Sequence, residues 1–276
     1  MVGMAFFHMN FFSPTLLVGT DVNVFIPTPD SGELSTGQDI GYFHDGVKYP
    51  VLYLLHGAYG DYSDWARLTG IERYAQAHKI AVVMPSADNS FYQDMYRGGK
   101  YLTYFTRELP DYIARLFPVS TKREDTFVAG LSMGGYGAVR VAFEMPERFG
   151  AAASLSGAID LLAALGDAEK EPHRPPFYWD AIFADPGKVE GSDADLFALA
   201  KKRLAEGRKL PPIYQTVGTE DLIYPANLSA KKKLEELGLE LTYAEHPGIH
   251  DWEFWDAHIR DVLDWLPIRP VSASGQ

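Results

Sequence analysis

From about residue 50 onward, short apolar runs alternate with longer segments whose apolar residues recur every three or four positions. Continuous runs such as Val51-Leu52-Tyr53-Leu54-Leu55 and Ile80-Ala81-Val82-Val83-Met84 are the pattern of strands buried on both faces of a parallel sheet. The run Thr126-Phe127-Val128-Ala129 predicts a further strand of this kind, and Ala151–Leu155, Ile213–Val217 and Leu239–Ala244 predict three more. Helical periodicity predicts helices over Asp64–His78, Leu102–Phe117, the segment after residue 132 up to Pro146, Asn227–Leu237 and Trp252–Leu266. Two strands are expected ahead of this series, near Phe6–Phe12 and Asp21–Ile26, joined by a turn containing Ser13-Pro14 and Gly19-Thr20. Residues 27–49 read as a long loop.

Strands separated by helical stretches argue βαβ units, so the expected class is α/β, a mostly parallel sheet with helices on both faces. The rhythm breaks only at residues 158–212, which hold Pro172, Pro175, Pro176, Pro186, Pro211 and Pro212 and the aromatics Phe177, Tyr178 and Trp179. This stretch is expected to be a cap-like insertion within a single domain spanning 1–276.

Composition narrows the chemistry. With 25 basic and 37 acidic residues the net charge is −12, which repels phosphate backbones and disfavours a nucleic-acid partner. The basic run Lys231-Lys232-Lys233 lies in a helical pattern and reads as a solvated face. The absence of cysteine removes disulfides, thiolate catalysis and cysteine-ligated metals. No apolar stretch reaches the ~20 residues that span a bilayer, and residues 1–8 lack the basic start of an export signal. A cytoplasmic protein without a membrane partner is expected. No histidine pair combines metal-ligand spacing with a carboxylate on one helix, so neither a metal nor a cofactor is expected.

The sharpest motif is Gly130-Leu131-Ser132-Met133-Gly134. It follows an apolar strand directly and opens a helix, the setting of a nucleophile elbow, where flanking glycines admit a tight strand–turn–helix crossing. Ser132 is the candidate nucleophile. A serine needs a base and an orienting acid, which in such a layout follow in the order acid, then histidine, at the ends of later strands. Asp221, in Gly218-Thr219-Glu220-Asp221, is the preferred acid; Glu220, Asp160 and Asp251 are rivals. His250 is the preferred base, because Pro247-Gly248 lets the chain turn it inward, whereas His246 abuts a strand end and reads as structural. The other histidines, His56 among them, read as surface or satisfied core residues. Oxyanion donors are expected from the Met133 N–H and from the loop after Val51–Leu55, where Ala58 is preferred and Gly57 is the alternative.

Together with Val51–Gly57 and His250-Asp251-Trp252-Glu253-Phe254-Trp255, these motifs resemble the esterase family that contains bacterial tributyrin esterases. S-formylglutathione hydrolase, feruloyl and acetyl xylan esterases and the mycolyltransferases are its relatives. The resemblance covers roughly residues 8–266. It implies the α/β-hydrolase fold, cofactor-free hydrolysis of carboxylic esters, and Ser132, Asp221 and His250 as catalytic residues. The expected substrate is a small ester with a short acyl chain, such as an acetylated sugar or a tributyrin-like ester. Feruloyl esterase, S-formylglutathione-type thioesterase and acyltransferase activities remain alternatives with the same triad. Phe91, Tyr92, Tyr96, Tyr101, Phe177, Tyr178 and Trp179 are candidate pocket residues. A homo-oligomer is compatible with this reading.

Overall fold

The computed structural model describes residues 4–29, 31–35, 46–168 and 178–269. The described chain opens with the hairpin β1 (Met4–Ser13) and β2 (Val18–Pro27), followed by the short helix α1 (Ser31–Ser35). Next come β3 (Val51–Leu55), α2 (Asp64–Leu68), α3 (Ile71–His78) and β4 (Ala81–Pro85). A composite helix follows, made of α4 (Tyr101–Thr103), a π-helical turn (Tyr104–Glu108) and α5 (Leu109–Leu116). Then come β5 (Thr126–Leu131), α6 (Met133–Glu144), β6 (Ala151–Leu155), α7 (Leu161–Ala168), α8 (Trp179–Phe183) and α9 (Leu196–Ala205). The last elements are β7 (Ile213–Gly218), α10 (Tyr224–Glu236), β8 (Leu241–His246) and α11 (Trp252–Trp265).

The strands form one eight-stranded sheet in the order β1-β2-β4-β3-β5-β6-β7-β8. All neighbours from β4 to β8 pair in parallel, and β2 alone runs against the rest. Strands β3, β4, β5, β6 and β7 are buried along their whole length, which explains why they read as unbroken apolar runs. Two hydrophobic layers cover the sheet. One contains Tyr136, Phe143, Phe105 and Leu199, and the other Trp65, Ile71, Trp255 and Ile259. Helix α6 is buried on nearly every side, from Met133 to Phe143, and is the central packing element of the first layer.

Several expectations are corrected. Helix α1 lies within the stretch read as a loop, and Gly19 and Thr20 belong to β2, paired with Phe12 and Phe11, rather than to the turn. The segment 64–78 is two helices rather than one. Thr69 is extended, its hydroxyl accepts from Ile71 N–H at 3.2 Å, and Gly70 N–H donates to Asp256 Oδ1 of α11 at 2.7 Å. The break lets both Trp65 and Ile71 reach the core. The helix over residues 101–116 contains a π turn because Pro110 has no N–H to give to the carbonyl four residues back and its ring crowds that carbonyl. Strand β8 starts two residues later than expected. Gly238, with φ of +69°, ends α10, and Leu239 N–H returns to Leu234 O at 3.2 Å, so Leu239 belongs to the helix cap.

The register brings the carboxyl ends of the central strands level. Leu55 lies opposite Gly130, Gly130 opposite Ser154, and Gly218 opposite His246. Ser132, the residue after β5, has φ 52° and ψ −117°, a costly backbone for a residue with a side chain. The turn closes only because β5 and α6 touch without side chains between them. A Cβ on Gly130 would lie 2.3 Å from Gly134 O, and one on Gly134 would lie 2.5 Å from the carbonyl oxygens of Leu55 and His56. Gly134→Ala is therefore expected to force strand and helix apart. Overpacking of this kind costs about 1–3 kcal/mol, or roughly 3–10 °C in melting temperature for a chain of this size. Differential scanning calorimetry checks this, and an unchanged transition would show that the elbow has room the geometry denies it.

Candidate active site

The elbow, the turn after β7 and the loop before α11 meet at the carboxyl edge of the sheet, the place where open α/β sheets bind ligands. His250 Nε2 lies 2.9 Å from Ser132 Oγ, and His250 Nδ1 lies 2.9 and 3.0 Å from the two carboxylate oxygens of Asp221. The Asp221 side chain is fully buried and His250 is partly exposed, so the chain of contacts runs from the interior to the cleft surface. Asp221 Oδ1 also accepts from Ile223 N–H at 2.9 Å, which fixes the carboxylate plane.

The turn after β7 and the histidine loop are bonded to each other at several points. Thr219 N–H donates to His246 O, Glu220 N–H to Gly248 O, and Gly248 N–H to the Glu220 carboxylate at 2.7 Å. This last bond holds the Glu220 carboxyl below its ordinary range and turns it away from His250. Gly218 makes the approach feasible, since a Cβ there would sit 2.2 Å from Gly248 O. The other rival acids are engaged elsewhere. Asp160 accepts from Ser229 Oγ and Lys233 Nζ, each at 2.6 Å, and Asp251 caps α11 by accepting from Phe254 N–H.

His246 ends β8 and does not reach Ser132; its ring stacks on His258 with centroids 4.1 Å apart and planes within 16°. The fold thus gathers His246, His258 and Asp261, with one ligand atom from each lying within 4.8 Å of the others, a grouping the sequence spacing did not reveal. The His258 Nδ1 to Asp261 contact is 2.7 Å. Parallel stacked imidazoles send their lone pairs in parallel directions rather than toward one point. The grouping therefore describes an aromatic stack better than a coordination site.

Ala58, Gly57, Ser132 and Met133 line one cavity of about 690 Å³. Met133 is the first residue of α6, so its N–H has no acceptor within the helix and lies at the positive end of the helix dipole. On the other side, His56 shapes the loop. Ala87 N–H donates to His56 Nε2 at 2.9 Å, so the proton sits on Nδ1, which donates to Gly57 O at 2.7 Å. Tyr92 Oη donates to the His56 carbonyl at 2.8 Å. His56 is thus a satisfied core histidine, as the sequence suggested, and it also holds the backbone from which Gly57 and Ala58 enter the cleft.

The rest of the lining draws on both hydrophobic layers. Phe91, Ala158, Leu161, Ala164, Trp179 and Ile223 belong to or pack on the first, and Trp252 and Trp255 on the second. Leu222, Tyr59, Gly60, Asp64, Leu68 and Asp251 complete the two walls. Among the candidate pocket residues, Phe91 and Trp179 line it, with ring centroids 5.0 Å apart. The structure places the others elsewhere. Tyr92 is buried beneath His56, Tyr101 Oη bonds to Asp88, and Tyr96 and Tyr178 are 63% and 73% exposed beside other surface cavities. Phe177 lies outside the described residues. The sequence reading missed the second wall. Trp252 and Trp255, three residues apart just after His250, were its available signal, and the Trp255 ring stands edge-on to His250 at 5.0 Å.

The profile of the family described as "Putative esterase" matches residues 39–266. This chain belongs to that family. The esterase is 32% identical to an acetyl esterase of Caldicellulosiruptor saccharolyticus over 95% of its own length and 98% of the relative's. Among solved structures it is similar to FphF, a fluorophosphonate-binding serine hydrolase of Staphylococcus aureus, with a TM-score of 0.84, 31% identity and coverage of 96% and 98%. It is also similar to the S-formylglutathione hydrolase FrmB of the same organism, with a TM-score of 0.79, 32% identity and coverage of 95% and 98%. The fold is that of an α/β hydrolase, and the esterase is a serine ester hydrolase. Among the described residues no helix is long and apolar enough to cross a membrane.

Burial holds the His56 imidazole below its ordinary pKa, so it stays neutral near pH 7. In the unfolded chain the same imidazole takes up a proton below about pH 6.5. The unfolded state then binds more protons than the folded one, and stability falls as pH drops below that value. The slope of melting temperature against pH between 7 and 5 is expected to be shallower in His56→Asn than in the parent chain. Equal slopes would remove His56 as a source of acid sensitivity.

Proposed function

We propose that the esterase hydrolyses short-chain acyl esters through Ser132, His250 and Asp221. The observation that carries this reading is the continuous set of contacts from buried Asp221 through His250 to Ser132, opening directly on an apolar cavity. In this mechanism the Ser132 hydroxyl donates its proton to His250 Nε2 as Oγ attacks the ester carbonyl. Asp221 accepts from Nδ1–H, holds the tautomer and stabilises the imidazolium. The Met133 and Ala58 N–H groups, with Gly57 as the alternative to Ala58, bind the oxyanion. His250 then gives the proton to the departing alcohol, and water attacks the acyl-enzyme by the same steps in reverse.

The reaction needs no metal or cofactor. On this reading the substrate is a small molecule that meets the enzyme away from nucleic acid and membranes, in the cytoplasm. The described parts of residues 158–212, which supply Leu161, Ala164 and Trp179, act as a cap-like roof on a single domain. The acyl chain lies against the aliphatic wall of Leu161, Ala164, Leu222 and Ile223, where Phe91 and Trp179 close off length. The alcohol lies toward Tyr59, Asp64 and Trp252, a side with aromatic faces and the carboxylates of Asp64 and Asp251 that suits an acetylated sugar. Glutathione carries two carboxylates, and among the described residues the lining contains neither lysine nor arginine to meet them. This favours an ordinary ester over an S-formylglutathione-type thioester.

Ser132→Ala should lower kcat by about 10⁶-fold, as removal of a triad nucleophile does. It should also abolish labelling by a fluorophosphonate probe while the melting temperature holds. His250→Ala should collapse turnover, and His246→Ala should leave most of it; the reverse order would move the base to His246. In a p-nitrophenyl ester series, kcat/KM should be highest from acetyl to butyryl and fall steeply beyond about six to eight carbons, where further methylenes clash instead of each contributing their ~0.8 kcal/mol. An optimum at ten carbons or longer would discard the short acyl site.

A further inference from the structure

The two edges of the sheet are built differently. β8, at one edge, has six residues and carries Glu245, which accepts hydrogen bonds from Tyr224 and Tyr243. A short strand bearing a charge resists pairing with another strand. β1, at the other edge, has ten residues, Met4 to Ser13, and among the described residues it pairs with β2 alone. It contains no lysine, arginine, aspartate, glutamate or proline, in a chain whose net charge is −12. Among the described residues the strand thus lacks the charge, proline, bulge or short length that usually blunts an edge.

The side chains on this edge are apolar and exposed. Phe6, Phe7 and Phe12 are 56%, 43% and 66% exposed. They sit on a stiff base, with Phe6 against Phe25, Phe7 against Phe117 and Phe11 stacked on Tyr112.

The order of residues specifies what can pair with this strand. Phe6-Phe7-His8-Met9-Asn10-Phe11-Phe12 is symmetric in character about Met9. In an antiparallel pair of two copies with the two-fold axis at Met9, Phe6 meets Phe12, Phe7 meets Phe11 and His8 meets Asn10. Each of these pairs shares parity, so its members fall on the same face of the joined sheet. A shift of one residue would set phenylalanine on one copy against a polar residue on the other. A strand of ten residues is about 33 Å long; with side chains on both faces it covers about 500 Å² per copy, or about 1,000 Å² in all, the lower bound of a specific interface.

We propose that the esterase forms a two-fold homodimer by antiparallel pairing of β1 with β1 of a second copy, in the register centred on Met9. The two sheets then continue into one, and a single isologous contact closes the assembly.

Sedimentation velocity and light scattering at about 20 µM of the full chain test this. The wild type should show twice the 30.7 kDa chain mass. Phe6→Lys with Phe12→Lys places like charges opposite each other across the axis and should give a monomer that keeps the parent's melting temperature and ester turnover. Phe6→Lys with Phe12→Glu places opposite charges there and should restore the dimer. A monomeric wild type, including one that binds lipid vesicles instead, would overturn the proposal, as would a dimer that survives the double lysine variant. A monomeric Lys/Glu variant would overturn the Met9 register. Should the double lysine variant fail to fold, amide exchange on the wild type decides. β1 amides must become more protected as protein concentration rises, and concentration-independent exchange would sink the dimer. No readout here depends on the identity of the ester, so failure leaves the hydrolytic reading standing.

Discussion

The close approach of β5 to α6 at the elbow is the contact on which the rest of the site depends. Ser132 is held in a left-handed backbone that it would not adopt alone, and what holds it is burial on both sides: β5 is enclosed along its length and α6 nearly all round. The strand ladder continues through the turn, because Ser132 N–H donates to Leu155 O of β6 at 2.9 Å. The proposed nucleophile is therefore fixed by the buried centre of the sheet, while its partners come from loops.

The same arrangement sets the electrostatics. The cavity walls are mostly aliphatic and aromatic, so a polar contact beside Ser132 lies in a lower dielectric than bulk solvent and is stronger than it would be there. The donors proposed for the oxyanion are backbone groups on opposite sides of the elbow. One is fixed by the start of α6, the other by the His56 ring between Gly57 O and Ala87 N–H. Preorganised donors of this kind need no rearrangement as charge develops.

Much of the architecture was legible because buried parallel strands leave unbroken apolar runs, as in Val51–Leu55 and Thr126–Leu131. The strand-end rule likewise directed attention to Ser132, Asp221 and His250, which the geometry brings within hydrogen-bond reach. What the pattern hid depended on distant partners. The break at Thr69-Gly70 is stabilised by Asp256, far away in the chain, and no local propensity announces it. The cavity walls were harder still. Tyr92 and Phe91 are adjacent aromatics, yet one supports the floor and the other lines the cleft. Leu161, Ala164, Leu222 and Ile223 are ordinary aliphatics until the fold turns them toward Ser132. Side-chain type does not encode that direction.

The bonds between the turn after β7 and the histidine loop bear on motion. Because Glu220 and Thr219 are tied to Gly248 and His246, Asp221 and His250 ride on one stitched unit, separate from the elbow. A displacement of that unit as one body would leave the imidazole–carboxylate contact intact and change the gap between imidazole and hydroxyl. A coupling that keeps the ring in one orientation and one tautomer reduces the geometry of the histidine–serine pair to a single coordinate, their separation.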